Sequence, residues 1–176
     1  ATVRLNRPEA MNALNVTLVS QLGEAIDELN ERDDVSTIVL DGAGKAFVAG
    51  ADVKFFVDKI RQDSFQEVYD FTAHGHEVLN AIESSPKTTI ALATGLALGG
   101  GLELALACDY RVGTQRTQLR FPETSIGIYP GLGGTQRTTR ICGIGAARYA
   151  VLAGNFMDAG TASALGLLTH LVESSE

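Results

Sequence analysis

Two glutamates in glycine-rich surroundings carry the chemistry that this sequence offers: Glu103 in LALGGGLELALACD and Glu123 in FPETSIGIYPGLGGTQR. Glu103 follows Gly99-Gly100-Gly101 at what reads as a helix start, where backbone N–H groups lack intrahelical partners and stabilise negative charge. Leu102, Leu104 and Leu106 around it predict burial, and burial raises a carboxylate pKa toward the range useful for proton transfer. Glu123 follows Phe121-Pro122 on a loop framed by Gly127, Gly131, Gly133 and Gly134. Alone it reads as an exposed loop acid; paired with Glu103 it becomes a second proton handler. Two carboxylates beside an anion-stabilising backbone suit proton movement on a carbon next to a carbonyl.

A third element is Ala49-Gly50-Ala51-Asp52-Val53-Lys54, whose small residues leave backbone N–H groups free to reach a ligand oxygen. One N–H from Ala51 and one from Gly100 would suit a thioester carbonyl becoming an enolate. Asp52 is expected to shape this loop rather than to react. Lys54 reads as a surface or phosphate-contacting lysine, because nothing nearby predicts its burial.

Other chemistries fit poorly. Gly44-Lys45 suggests a phosphate loop, but Val39 stands where its first glycine belongs and Ala46 replaces the Ser/Thr. The run from Gly143 to Arg148 misses the third small position of a dinucleotide fingerprint. There is no GxSxG elbow to match His74, His76 or His170. His74 and His76 stand two apart in a helical stretch and cannot share a face, so no metal site is expected. Cys108 and Cys142 lack zinc spacing and read as buried structural thiols. The net charge of −7 weighs against a nucleic-acid footprint, although Lys45, Lys54, Lys59 and Arg61 lie near enough for a local basic pocket. No apolar run reaches the roughly 18 residues of a membrane span and no secretory signal opens the chain. The expectation is a soluble intracellular protein, cytoplasmic or, in a eukaryote, of the mitochondrial matrix.

The elements that must position these residues alternate between strand and helix, which predicts an α/β fold. A strand at Thr2–Leu5 leads through a loop to a helix from about Asn15 to Arg32, with Leu18, Leu22, Ala25, Ile26 and Leu29 on one face. Thr37–Leu40 reads as a buried strand, and Gly42, Gly44 and Gly50 mark a flexible stretch around Ala46–Ala49. Ser64 and Glu67 form a capping box for a second long helix, with Phe65, Val68, Phe71, Val78, Leu79 and Ile82 as its apolar face. Thr88–Ala93 is the next strand, Gly95–Gly101 a turn and Leu102–Ala107 a short helix. Strands at Asp109–Val112 and Gln118–Phe121 precede helical pieces at Gly134–Arg140, Ala146–Ala153 and Asp158–Leu165, with a last strand at Leu167–Val172. With no internal repeat or linker in view, residues 1–176 read as one domain whose ends look cut.

NRPEAMNAL, KAFVAGADVK, GLALGGGLELALACD and FPETSIGIYPGLGGTQR, in this order and spacing, resemble the crotonase superfamily, most closely enoyl-CoA hydratases. The resemblance runs from Leu5 to about Val172. It implies a spiral of ββα units with two roughly perpendicular sheets, assembled as trimers or dimers of trimers, with the family's C-terminal helices truncated here. It places the oxyanion-hole amides at Ala51 and Gly100 and makes Glu103 and Glu123 the catalytic acids. It assigns Ala49, Ala51, Asp52, Val53, Lys54 and Gly100 to the acyl-CoA, with backbone carbonyls near Ala49 and Ala51 toward the adenine and Lys54 toward the phosphates. The implied reaction is reversible syn hydration of a trans-2-enoyl-CoA to a 3-hydroxyacyl-CoA, as in fatty-acid β-oxidation, without a metal or redox cofactor. Retention of both glutamates favours hydration over a Δ3-Δ2-enoyl-CoA isomerase. A non-catalytic acyl-CoA-binding or RNA-binding relative stays open, as does fusion to or association with a 3-hydroxyacyl-CoA dehydrogenase.

Overall fold

The computed structural model describes residues 1–173, so residues 174–176 of the expected domain lie outside the described residues. Among the described residues nine strands form two sheets. In chain order they are β1 (Thr2–Leu5), β2 (Thr37–Gly42), β3 (Ala46–Ala49), β4 (Thr88–Leu92), β5 (Leu96–Leu98), β6 (Tyr110–Gly113), β7 (Gln118–Arg120), β8 (Met157–Asp158) and β9 (His170–Leu171). The helices are α1 (Val16–Glu31), α2 (Val53–Arg61), α3 (Phe65–Glu83), α4 (Gly100–Leu106), α5 (Gly134–Ala153) and α6 (Ala159–Ala164).

The first sheet runs β1-β2-β4-β6-β9, parallel throughout. The second runs β3-β5-β7-β8, parallel except for the β7–β8 pair. Each turn of the chain lays one strand in each sheet and then returns through helix: β2, β3, α2 and α3; β4, β5 and α4; β6, β7 and α5. This is the expected ββα spiral. The sequence shows no repeat, yet the backbone repeats three times, because the strand order needs only short apolar runs and not similar residues.

Local chemistry explains most boundaries. Asn15 caps α1 by accepting from Leu18 N–H at 2.9 Å, and Leu18, Val19, Leu22, Ile26 and Leu29 form its buried face. Gly23 lets α1 lie close to α3, since a Cβ there would stand 2.9 Å from Val78 Cγ2. The stretch read as flexible is β3, with Ala46, Phe47 and Val48 buried. Its flanking Gly44 and Gly50 sit at φ +85 and +84, so they turn the chain at both ends of a rigid strand. Leu96–Leu98, read as part of a turn, is β5, paired on both sides.

The helices differ from the sequence reading at three points. Val53–Arg61, unassigned in the sequence, is α2, packed through Phe55 and Phe56 against Phe71 with ring centroids 5.3 and 5.4 Å apart. The capping box at Ser64 does not form: Glu67 pairs with Lys59 at 2.5 Å instead of reaching back. Phe65, expected on the apolar face of α3, is exposed. Gly143, at φ 77 and ψ 163, breaks α5 where the sequence separates two helical pieces. Cys108 is buried as expected, and its thiol pKa is pushed up to about 12 by desolvation. Cys142 is only half-buried. Among the described residues no helix is long and apolar enough to cross a membrane.

One polar side chain ties the loop before α1 to β3. Asn12 is fully buried in the left-handed region, at φ 58. Its Nδ2 faces the carbonyls of Ala43, Ala46 and Phe47 at 2.9, 2.8 and 3.1 Å, and its Oδ1 accepts from Arg7 N–H at 2.8 Å. The β3–β5 register slips between Ala46 and Val48, and such a bulge frees carbonyls from the ladder. Asn12 supplies their donors. Replacing it by Ala strands buried carbonyls and places Ala at positive φ, so Asn12→Ala should lose about 3 kcal/mol in denaturant unfolding. Asn12→Asp, which keeps the acceptor but not the donor, should lose nearly as much.

Candidate active site

The parallel register of the second sheet brings the sequence-predicted residues to one edge. Ala49, Leu98 and Arg120 are register partners at the ends of β3, β5 and β7. Ala51 lies two residues beyond the first, Gly100 two beyond the second and Glu123 three beyond the third. Neighbouring strands stand about 4.8 Å apart, so this stagger gathers three segments distant in sequence. The carboxyl ends of parallel strands are a common location for ligand sites.

Backbone bonds fix how the Ala51 peptide faces. Leu14 N–H donates to Gly50 O at 2.9 Å and Asp52 N–H donates to Leu14 O at 2.8 Å. The N–H of Ala51, between those two, therefore faces away from Leu14. The start of α4 lies close by: a Cβ built on Gly100 would stand 3.8 Å from Ala51 N and 3.1 Å from Leu14 Cδ1. Gly100 is the first residue of α4, so its N–H has no intrahelical acceptor.

Asp52 stands at the N-terminus of α2 without a side-chain capping bond; its Oδ2 lies 3.5 Å from Arg7 Nη2, whose Nη1 donates to Ala13 O at 2.6 Å. Asp52 thus touches the loop before α1 through Arg7. Val53 and Lys54 open α2 and are exposed, and Ala49 is half-buried. Of the basic cluster, Lys59 is paired with Glu67, while Lys45, Lys54 and Arg61 are exposed.

Glu103 is 2% exposed. The amides that hold it are not those expected. Helix α4 starts at Gly100, so Glu103 lies within it and its own N–H bonds Gly99 O at 2.9 Å. Its Oε1 accepts instead from Leu132 N–H and Gly134 N–H, both at 2.7 Å. Gly134 is the first residue of α5, so Glu103 occupies the positive end of another helix. Desolvation still dominates and raises its pKa to about 7; the Gly134 and Leu132 bonds oppose this, the Glu123 charge adds to it and Arg137 opposes it.

Glu123 begins a 3-10 turn, Glu123–Ile126, after Pro122. It is 9% exposed, so the loop acid is buried. Burial raises its pKa, and a hydrogen bond from its own backbone N–H partly offsets that rise. Its Oε2 is buried with no hydrogen-bond partner in the protein. A Cβ on Gly99 would lie 2.7 Å from Glu123 Oε1, and one on Gly134 would lie 2.9 Å from Glu103 Oε1. Glycine at these two positions is therefore what admits both carboxylates.

Leu132 and Arg137 are the residues that sequence reasoning missed as parts of the site. Both lie in the quoted FPETSIGIYPGLGGTQR run, and their roles depend on contacts with Glu103 and α3 that local spacing does not encode. Two surface clefts, of about 390 and 270 Å³, are lined by residues other than the glutamates: the first between β1 and α1, the second by Val16, Phe55, Glu67, Asp70, Phe71 and His74. His74 lies 3.5 Å from Ser20 Oγ and 3.4 Å from Glu77. Among the described residues no group of three or more His, Cys, Asp or Glu is placed to hold a metal ion.

Comparison with known proteins bears on this geometry. The chain is 38% identical over its full length to a crotonyl-CoA hydratase of Syntrophomonas wolfei, spanning 66% of that protein. It is 41% identical to enoyl-CoA hydratase domain-containing protein 2, mitochondrial, of Bos taurus, spanning 58% of it. The crystal structure of an enoyl-CoA hydratase from Bacillus anthracis superposes with a TM-score of 0.91 at 35% identity, covering 98% of this chain and 66% of that one. The chain thus spans somewhat less than two thirds of the length of these relatives. The family described as enoyl-CoA hydratase/isomerase matches residues 1–176, and the chain belongs to it.

Proposed function

We propose that the protein hydrates trans-2-enoyl-CoA thioesters reversibly to 3-hydroxyacyl-CoA. One observation carries this reading: two buried carboxylates, Glu103 and Glu123, stand beside Gly134 and Gly99, the latter at the glycine turn that opens α4. Hydration needs a base for water and an acid for C2, and two such groups supply both. The names of the hydratases among its relatives support the same substrate class.

In the proposed mechanism the thioester oxygen accepts from the Ala51 and Gly100 N–H groups, which hold the charge of the enolate. Ionised Glu103 takes a proton from water as the water oxygen bonds to C3. Glu123, protonated, gives its proton to C2, and the two carboxyls then re-equilibrate, so the net addition is one water. Glu123 Oε2, with no donor in the protein, is the oxygen assigned to that transfer. Both N–H donors, from Leu132 and Gly134, fall on Glu103 Oε1, which supports Oε2 as the oxygen that takes the water proton. Ala49, Asp52, Val53 and Lys54 are assigned to the CoA moiety on the strength of their place beside Ala51, with Lys54 exposed at the start of α2. Addition of water is redox-neutral overall, so the proposed reaction calls for no redox cofactor. Assembly into trimers is part of the proposal; exposed Ile126, Ile128, Tyr129, Tyr149, Leu152 and Phe156 offer apolar surface for it.

Glu103→Gln and Glu123→Gln should each lower kcat for crotonyl-CoA hydration by about 10²–10⁴-fold, measured by loss of enoyl absorbance. Activity that survives Glu103→Gln but not Glu123→Gln would instead indicate an isomerase using one carboxylate. Because Glu103 must be ionised, kcat should fall as pH drops through about 7.

Stability should show the opposite slope. A folded pKa near 7 against an ordinary 4.5 means that the folded state binds the proton more tightly. The Glu103 contribution is then favourable at low pH and is lost as pH rises from about 4.5 through about 7. Denaturant midpoints across that window should decline in wild type and flatten in Glu103→Gln.

A further inference from the structure

The turn that holds Glu103 is itself held. We propose that Arg137 is a positioning residue for Glu103: anchored on α3, its guanidinium fixes the Leu132–Gly134 turn whose two N–H groups fix Oε1. This rests on the reading of Glu103 as the carboxylate that activates water.

The contacts run in series. Arg137 Nη1 donates to Leu132 O at 2.8 Å. Its Nη2 donates to Asn80 Oδ1 at 2.9 Å and to Glu83 Oε2 at 2.8 Å, and Nε donates to the same Glu83 oxygen at 3.0 Å. The fork therefore bridges the last turn of α3 and the Leu132–Gly133 peptide, which lies between the two peptides whose N–H groups reach Glu103. Gly133, at φ +95, has no room for a side chain, because a Cβ there would run into Arg137 Nη1. The Leu132 side chain is fixed by α3 as well, since Gly75 leaves the space that Leu132 Cδ2 fills. Helix α3 thus holds the turn by its carbonyl and by its side chain.

A structural role alone explains this arrangement poorly. The Arg137 side chain is 5% exposed but its partner Glu83 is 43% exposed, and a pair with one solvated member adds little to stability by itself. A planar fork with several donors does what apolar packing cannot: it sets the direction of one carbonyl. Arg137 also lies close enough to favour the ionised form of Glu103, against burial and the Glu123 charge. The charged groups acting on Glu103 are thus Glu123 from the turn after β7 and Arg137 from α5, with Glu83 of α3 paired to the arginine.

The test compares Arg137→Met, Arg137→Lys and Glu83→Gln with wild type in the full protein. Crotonyl-CoA hydration gives kcat and KM, and carbon-13 NMR of the Glu103 carboxyl gives its titration without substrate. Arg137→Met should lower kcat by about tenfold or more with KM within about twofold, because a misplaced base slows the chemical step more than binding. Glu103 should then titrate at higher pH, since a nearby cation has gone. Arg137→Lys should restore much of the titration but not kcat, because an ammonium lacks the fork. Glu83→Gln changes a residue with 43% side-chain exposure and serves if Arg137→Met fails to fold; it should lower kcat in the same direction by less. Folded variants with wild-type kcat and an unmoved Glu103 titration would overturn the proposal. A wild type that does not hydrate crotonyl-CoA, with a Glu103 titration that still follows Arg137, would overturn the substrate reading and leave the positioning role standing.

Discussion

A buried carboxylate held by two amides from a different segment is the constraint around which this molecule is organised. Glu103 lies on a helix whose every residue is buried, and burial withdraws its charge from bulk solvent. The Leu132 and Gly134 N–H groups substitute for water on one oxygen only. That arrangement is a compromise. Enough donation keeps the carboxylate from being expelled or permanently protonated, and enough desolvation keeps its proton affinity near neutrality. Stronger solvation would return it to the ordinary carboxylate range, where it would be a weak base.

The surrounding fold then serves two tasks, bringing the α5 turn to Glu103 and keeping bulk away from it. Gly99 and Gly134 do the second, since a methyl group at either would stand against one of the carboxylates. Asn12 performs the corresponding task for the other loop, by supplying donors where β3 departs from its ladder. From that fixed strand the chain passes Gly50 and reaches Ala51, whose neighbours are pinned by Leu14. Both loops are therefore positioned by buried polar groups and not by loop stiffness. Such groups have few alternative partners and define one geometry.

How much of this could be read from the sequence depended on range. The alternation of Leu102, Leu104 and Leu106 around Glu103 correctly announced burial, and Asn15 announced the start of α1. The glutamate pair itself was legible because each carries an unusual glycine frame. What failed was whatever depends on a partner far along the chain. Strands β3 and β5 are four and three residues long, and their hydrogen bonds run to each other and to β7, so no local period marks them. The box expected at Ser64 lost its glutamate to Lys59, a competitor from the preceding helix. Glu103 was placed near orphan amides for a sound reason but at the wrong helix, because the donors lie about 30 residues downstream.

The ββα spiral explains why a site of this kind tolerates such dispersion. Each turn of the spiral adds one strand to the second sheet in parallel register, so consecutive turns deliver their following residues to the same edge. Ala51, Gly100 and Glu123 come from three successive turns, yet each sits two or three residues past a register-matched strand end. A one-residue slip of β5 against its neighbours would carry Gly100 along the edge by about 3.3 Å and reverse the faces of that strand. The buried Ala97 of β5, packed in the core between Val48 and Leu119, opposes that slip, because it would send the half-exposed Leu96 and Leu98 inward. The hydrophobic core thus sets the alignment of these backbone segments. The geometry of the candidate site is a consequence of sheet register, and the small residues that keep the register belong to it as much as the two glutamates do.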